Sequence, residues 1–141
     1  MSEEDVELVR RAFEQFAAGM AHGDPTAMFD SGVVATDLEW RLPSGFAGLR
    51  TVYRGREGFA EFIRTWTEDF EWSIELEAII DAGAGRVVLI TRQRATGTGS
   101  GAPVELQMAA IYDVADGRLV RATHFLTPAE ALQAAGVSEQ G

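Results

Sequence analysis

Apolar positions recur at three- and four-residue spacing early in the chain and alternate through most of its later part. Val6, Val9, Phe13, Phe16, Ala17 and Met20 make one stripe of an amphipathic helix. Ser2 followed by Glu3, Glu4 and Asp5 supplies a cap and an acidic first turn, which suits the helix dipole. Gly23-Asp24-Pro25 ends that helix, and Asp24 with Pro25 starts a short second one through Phe29. A third helix is predicted over 57–70, where Phe59, Phe62, Ile63, Trp66 and Phe70 form an aromatic stripe that belongs to a core. Strands are predicted over 33–42, 71–80, 86–96, 104–114 and 118–126. Gly-rich joints at 82–85 and 97–101 and the Asp116-Gly117 pair predict hairpins, hence a largely antiparallel sheet. The long connection 43–58 has the length of a lid or rim loop. Helices lead and a meander comes after them without βαβ alternation, so the class is α+β, with helices on one face of a bent sheet.

The last strand is bounded by unusually definite local chemistry. Asp116-Gly117 opens it, and Thr127-Pro128-Ala129-Glu130 closes it with a capping Thr, Pro at the first helical position and Glu at the third. Between these ends lies His124, one of two histidines in the chain and the one placed in a strand. An imidazole titrates near neutral pH, which makes His124 the leading catalytic candidate, with a backbone-bonded structural histidine as the alternative. Alternation places Val120, Ala122 and His124 on the inward face. His22 sits in a helix-ending turn and reads as an exposed cap.

Composition narrows the functions. With 141 residues and 46% apolar content the chain reads as one domain, 1–141, able to bury a core. Twenty-two acidic against 12 basic residues give −10, a balance that repels phosphate backbones and argues against nucleic acid. No cysteine is present, which removes thiolate chemistry and zinc–thiolate sites. The acidic N-terminus does not look like a signal peptide, and no apolar run suits a membrane span, so a cytoplasmic location is expected. Two distant histidines and scattered acids give no metal-ligand spacing, the Gly97 to Gly101 run lacks the lysine of a phosphate loop, and no cofactor is expected.

Several phrases together resemble the SnoaL-like branch of the nuclear transport factor 2 (NTF2-like) superfamily. They are Phe16-Ala17-Ala18-Gly19-Met20-Ala21-His22-Gly23-Asp24, Asp37-Leu38-Glu39-Trp40-Arg41, Tyr53-Arg54-Gly55-Arg56-Glu57-Gly58-Phe59, Asp116-Gly117-Arg118-Leu119-Val120, and Glu130-Ala131-Leu132-Gln133-Ala134-Ala135-Gly136. The resemblance implies a cone: N-terminal helices packed on a strongly curved, mostly antiparallel sheet, a short C-terminal helix, a pocket between them, and a homodimer through the outer sheet face. It also implies a superfamily of polyketide cyclases, isomerases, epoxide hydrolases, dehydratases and binders, so fold does not settle function. Where ketosteroid isomerases place a base and an oxyanion-hole tyrosine, this chain has Trp40 and Phe16. Where polyketide cyclases carry an aspartate on the last strand, His124-Phe125-Leu126 keeps a histidine and an aromatic without the acid.

The expected substrate-binding residues are Trp40, Tyr53, Phe59, Trp66, Arg92 and Gln107. Trp and Tyr carry a polar tip suited to a half-wet cavity. Arg92 and Arg94 share one face, which binds a carboxylate if concave and serves solubility or an interface if convex. Glu105 and Gln107 are candidate partners of His124 across the sheet, with solvent or a second subunit as alternatives. The run Val87-Val88-Leu89-Ile90, apolar on both faces, is best covered by helices on one side and a second subunit on the other. Two functions fit: general acid/base catalysis of a cyclase, isomerase or dehydratase type on a small apolar molecule, or a non-catalytic ligand-binding or dimeric accessory domain.

Overall fold

The computed structural model describes residues 2–43, 49–97, 101 and 103–137, the side chains of Ser2 and Asp69 excepted. The capping role expected of Ser2 and the tip of the 97–101 hairpin therefore lie outside the described residues. Helix α1 spans Ser2–Ala21, a 3₁₀ turn Ala27–Phe29, strand β1 Val34–Arg41, β2 Val52–Arg54, helix α2 Gly55–Asp69, strands β3 Phe70–Gly83, β4 Arg86–Gly97, β5 Pro103–Ala115 and β6 Arg118–Phe125, and helix α3 Pro128–Ala135. The strands form one curved sheet in the order β2-β1-β6-β5-β4-β3. Every neighbouring pair is antiparallel except β1 with β6, which run parallel.

The predicted local chemistry appears where it was expected. Asp116 and Gly117 both take positive φ, 54° and 75°, the geometry of a tight hairpin turn that matches strand twist. Thr127 Oγ1 accepts from the Glu130 amide at 3.2 Å, and α3 ends on Gly136 in the left-handed region. Gly19 serves close approach: a Cβ there would fall 2.2 Å from the Asp24 carbonyl oxygen and 2.8 Å from the Ala27 Cβ.

Two layers of side chains bracket the sheet. On the concave side the stripes of α1 and α2 meet the strands through Val9, Phe16, Leu38, Phe59, Phe62, Ile63, Val87, Leu89 and Leu119. On the convex side α3 lays Ala131 and Ala135 over Val88, Ile90, Ala109 and Ile111. The second cover over the double-faced apolar run is thus the chain's own last helix, and the run by itself requires no second subunit.

Two further expectations are corrected. Of the 43–58 connection, residues 44–48 lie outside the described residues, and the rest is not a lid: it contains β2, an edge strand paired to β1 with Tyr53 opposite Trp40, and the start of α2. A register shift between Asp113 and Val114 aligns Arg121 with one and Leu119 with the other, leaving Val120 as the extra residue of a bulge. Leu119, not Val120, therefore shares the concave core, at 1% exposure, with the fully buried Ala122 behind the same face as His124. Glu39 is buried, ringed by Arg41, Arg54 at 2.9 Å and Arg121 at 3.6 Å. The Arg41 hydrogen bond, with the other two guanidiniums, holds its carboxyl below the usual carboxylate range.

Candidate functional site

The concave face encloses a cavity of about 90 Å³ between α1, α2 and strands β3 to β6. Its wall is mostly apolar: Ala12, Phe13, Phe16, Met28, Leu42, Leu49, Phe62, Trp66, Trp72, Ile74, Leu89 and Met108. Space exists because the sheet floor carries small residues where rings converge. Ala110 stands opposite His124 and Ala122 opposite Tyr112, so neither strand β5 nor β6 fills the volume its neighbours border.

The polar groups gather at two ends. At the first, the His124 ring lies against Trp40, centroids 4.3 Å apart, and its Nδ1 is 2.8 Å from the Arg41 carbonyl oxygen. A carbonyl only accepts, so Nδ1 carries the proton and Nε2 is left as a lone-pair acceptor. Burial against the aromatic wall lowers the imidazole pKa to about 4, against the weaker opposing effect of the Arg41 carbonyl. His124 is therefore neutral at pH 7. The parallel pairing of β1 with β6 builds this contact, since it aligns Trp40 with Ala122 and Arg41 with Thr123.

Beside the imidazole, the Trp40 Nε1–H is buried and meets no acceptor among the described residues. Tyr112, one row along from His124, also lines the cavity; burial raises its pKa, so its hydroxyl stays protonated. This end offers one basic nitrogen and two neutral donors. Leu42 and His124 also border a shallower groove on the other side, lined by Thr51, Phe125, Leu126 and Glu130. His124 thus stands between the cavity and the surface.

At the second end, Trp72 Nε1 donates to Gln93 Oε1 at 2.9 Å, and Gln93 Nε2 donates to Thr91 Oγ1 at 3.1 Å. Thr91 and Gln93 occupy alternate positions of β4 on the face that carries Leu89.

The sequence candidates divide. Trp40, Trp66 and His124 come together in the cavity wall. Phe59, 1% exposed, lies in the core behind it, stacked edge-on to Trp40. Tyr53 is buried under Phe62, and its hydroxyl accepts from the Arg50 amide at 3.0 Å, so neither Phe59 nor Tyr53 lines the cavity. Arg92 and Gln107 are on the convex face and are corrected accordingly. Arg92 binds Glu77 at 2.9 Å and Glu105 at 3.3 Å, Arg94 binds Glu105 at 3.0 Å, and Gln107 donates to Glu77 at 2.6 Å. Neither Glu105 nor Gln107 meets His124; the Arg41 backbone does. His22 is an exposed helix-end residue bonded to the Ala18 carbonyl at 2.9 Å.

Sequence reasoning missed Thr91, Gln93 and Tyr112. The signal for the first two was present: once Arg92 and Arg94 take one face of β4, the intervening Thr91 and Gln93 must take the other. Polar residues continuing an apolar row are the mark of a cavity. Among the described residues no three His, Asp or Glu side chains gather as a metal site, and no helix is long and apolar enough to cross a membrane.

Comparison with known proteins agrees with this fold. An NTF2-like protein from Burkholderia thailandensis shares 24% identity and a TM-score of 0.71, covering 95% of this chain and 98% of the other. TerC, co-crystallised with polyporic acid, matches at 20% identity and TM-score 0.72, over 94% of this chain and 98% of its own. A candidate SnoaL-like polyketide cyclase from Jannaschia matches at 19% and TM-score 0.69, over 95% and 92%. No curated protein matches the sequence. The model of the SnoaL-like domain matches residues 11–122, from α1 to β6, and makes the chain a member of the SnoaL-like family, with the curved sheet and three helices of the NTF2-like fold.

Proposed function

We propose that this protein is an enzyme that moves a proton on a small, largely apolar carbonyl compound held in the concave cavity, in the manner of an isomerase, cyclase or dehydratase, with His124 as the general base. The observation that carries the reading is the pairing at one end of the cavity. A neutral imidazole presents Nε2, and an indole N–H without a protein acceptor lies beside it. A buried donor left unsatisfied costs free energy that a ligand oxygen would recover.

The chemistry is set by those atoms. Nε2 takes a proton from the carbon next to the carbonyl, and the C–H electron pair passes into the enolate. The oxygen gains negative charge and accepts from the Trp40 N–H, with the Tyr112 hydroxyl on the same wall. His124, now cationic, returns the proton to a second carbon or to a departing hydroxyl. A base with a pKa near 4 suffices where donors stabilise the enolate in a water-poor site, as steroid isomerase chemistry with a carboxylate base demonstrates. Trp66, Trp72 and Phe62 supply the flat apolar walls.

The test is deuterium uptake from D₂O into the α-positions of cyclic ketones, monitored by NMR. Wild type should exchange above background, and His124→Gln should lose about 10²-fold or more. A second reading, a binder without turnover, is favoured by one feature: His124 meets a backbone carbonyl where an acid–base pair would have a carboxylate. Equal exchange by wild type and His124→Gln, together with a ligand retained in native mass spectrometry, would select it.

A further inference from the structure

The far end of the cavity carries a hydrogen-bond chain whose direction is forced. An indole N–H can only donate, so Gln93 must turn its carbonyl oxygen to Trp72 and its NH₂ to Thr91. Thr91 Oγ1 is thereby an acceptor within the chain, and its own proton needs another destination. Among the described residues it has none, although Thr91 is 5% exposed and borders the cavity. The hydroxyl is an oriented donor at the end of a relay that cannot reverse.

Its position relative to His124 is set by the sheet. His124 pairs with Ala110, Ala110 with Leu89, and Thr91 lies one repeat beyond Leu89 on the same face. Two strand spacings across and two residues along separate the Cα atoms by roughly 12 Å. That separation puts the two polar groups at opposite ends of the cavity that both border. The cavity, about 90 Å³, is smaller than the roughly 150 Å³ apolar cavity that takes up benzene, which limits the ligand to a single ring.

We infer that Thr91 is a specificity-determining donor, and that the ligand is a single-ring compound with two acceptor oxygens at opposite ends. One oxygen meets the Trp40 N–H beside His124, and the other meets the Thr91 hydroxyl. The inference rests on the cavity reading above and names the ligand class; the Thr91 end itself takes no part in the proton transfer. Trp72 and Gln93 are positioning residues, which act by keeping the hydroxyl proton of Thr91 pointed at the ligand.

The experiment compares cyclohexane-1,4-dione with cyclohexanone, which lacks the second oxygen, by calorimetric titration of wild type, Thr91→Val and Thr91→Ser. Wild type should prefer the dione about five- to tenfold, the factor expected of one buried hydrogen bond. Thr91→Val should bind both ketones as wild type binds cyclohexanone, and Thr91→Ser should keep the preference. A preference that survives Thr91→Val, the lack of any preference in wild type, or loss of cyclohexanone binding in Thr91→Val would overturn the inference. Deuterium uptake by the same ketones separates this result from the fate of the catalytic reading. Exchange without a dione preference sinks the Thr91 assignment alone. A dione preference without exchange sinks only the general base.

Discussion

Acidification should weaken the fold through His124 specifically, and the size of the effect can be worked out. The unfolded imidazole has a pKa near 6.5, whereas burial against Trp40 lowers the folded value to about 4. Between those values the unfolded state binds more protons, so stability falls as pH drops from 6.5 toward 4, and it is unaffected by this group above 6.5. A difference of 2.5 units corresponds to at most about 3.4 kcal/mol. The side of the ring facing the Leu126–Glu130 groove admits water, so about 2–3 kcal/mol is the expected loss. Glu39, whose pKa is lowered, destabilises only below the unfolded carboxylate value of 4.5, so the two windows scarcely overlap. The assay is urea unfolding of wild type and His124→Gln at half-unit pH steps from 7.5 to 4. Subtracting the curves cancels every other titrating group, and the difference should change by about 2–3 kcal/mol toward acid. Parallel curves would mean that the imidazole is charged or solvated in the native state, and would remove the argument for a neutral base.

Other outcomes rest on the packing and capping contacts. Phe59→Ala should cost about 3–5 kcal/mol in chemical denaturation, because the ring is wholly enclosed between Phe16, Phe29, Trp40 and Phe62. Thr127→Ala should cost about 1 kcal/mol by removing the cap of α3, and should raise binding of a hydrophobic dye as the convex apolar cluster opens. Gly19→Ala should destabilise by about 1–3 kcal/mol, since its Cβ would drive into the Asp24 carbonyl; an unchanged melting temperature would refute the close approach. Sedimentation velocity at graded dilution tests the expected homodimer, whose interface on the convex face would have to include the Arg92–Glu77–Glu105 network beside α3.

The parts of this fold legible in the sequence are those set by neighbours in the chain. The α1 stripe, the Asp116-Gly117 turn and the Thr127 cap need only a few adjacent residues to declare themselves. Strand β2 escaped because three residues, Val52, Tyr53 and Arg54, carry no measurable period and sit within a long connection. The Val120 bulge escaped because alternation read from one end of β6 takes no account of an extra residue. The cover over Val88 and Ile90 was assigned to a second subunit because nothing local says where a helix after β6 will fold back. In the site, His124 and Trp40 were legible as ring types in strands. Their contact was not, since it depends on a parallel pairing across the length of the chain.

That pairing orders the protein's own assembly. The His124–Arg41 bond closes a separation of 83 residues, whereas β3, β4 and β5 join through successive hairpins. Loop-closure entropy delays the distant pairing until nearer contacts offset it. On the ribosome the meander can form while β6 is still unmade, and β1 then waits for a partner with its edge unpaired. The cavity is accordingly the last part of the molecule to exist, and a ligand that occupies it recognises chains that have finished folding. A ligand bound there would add its stabilisation only to chains in which the β1–β6 pairing is made.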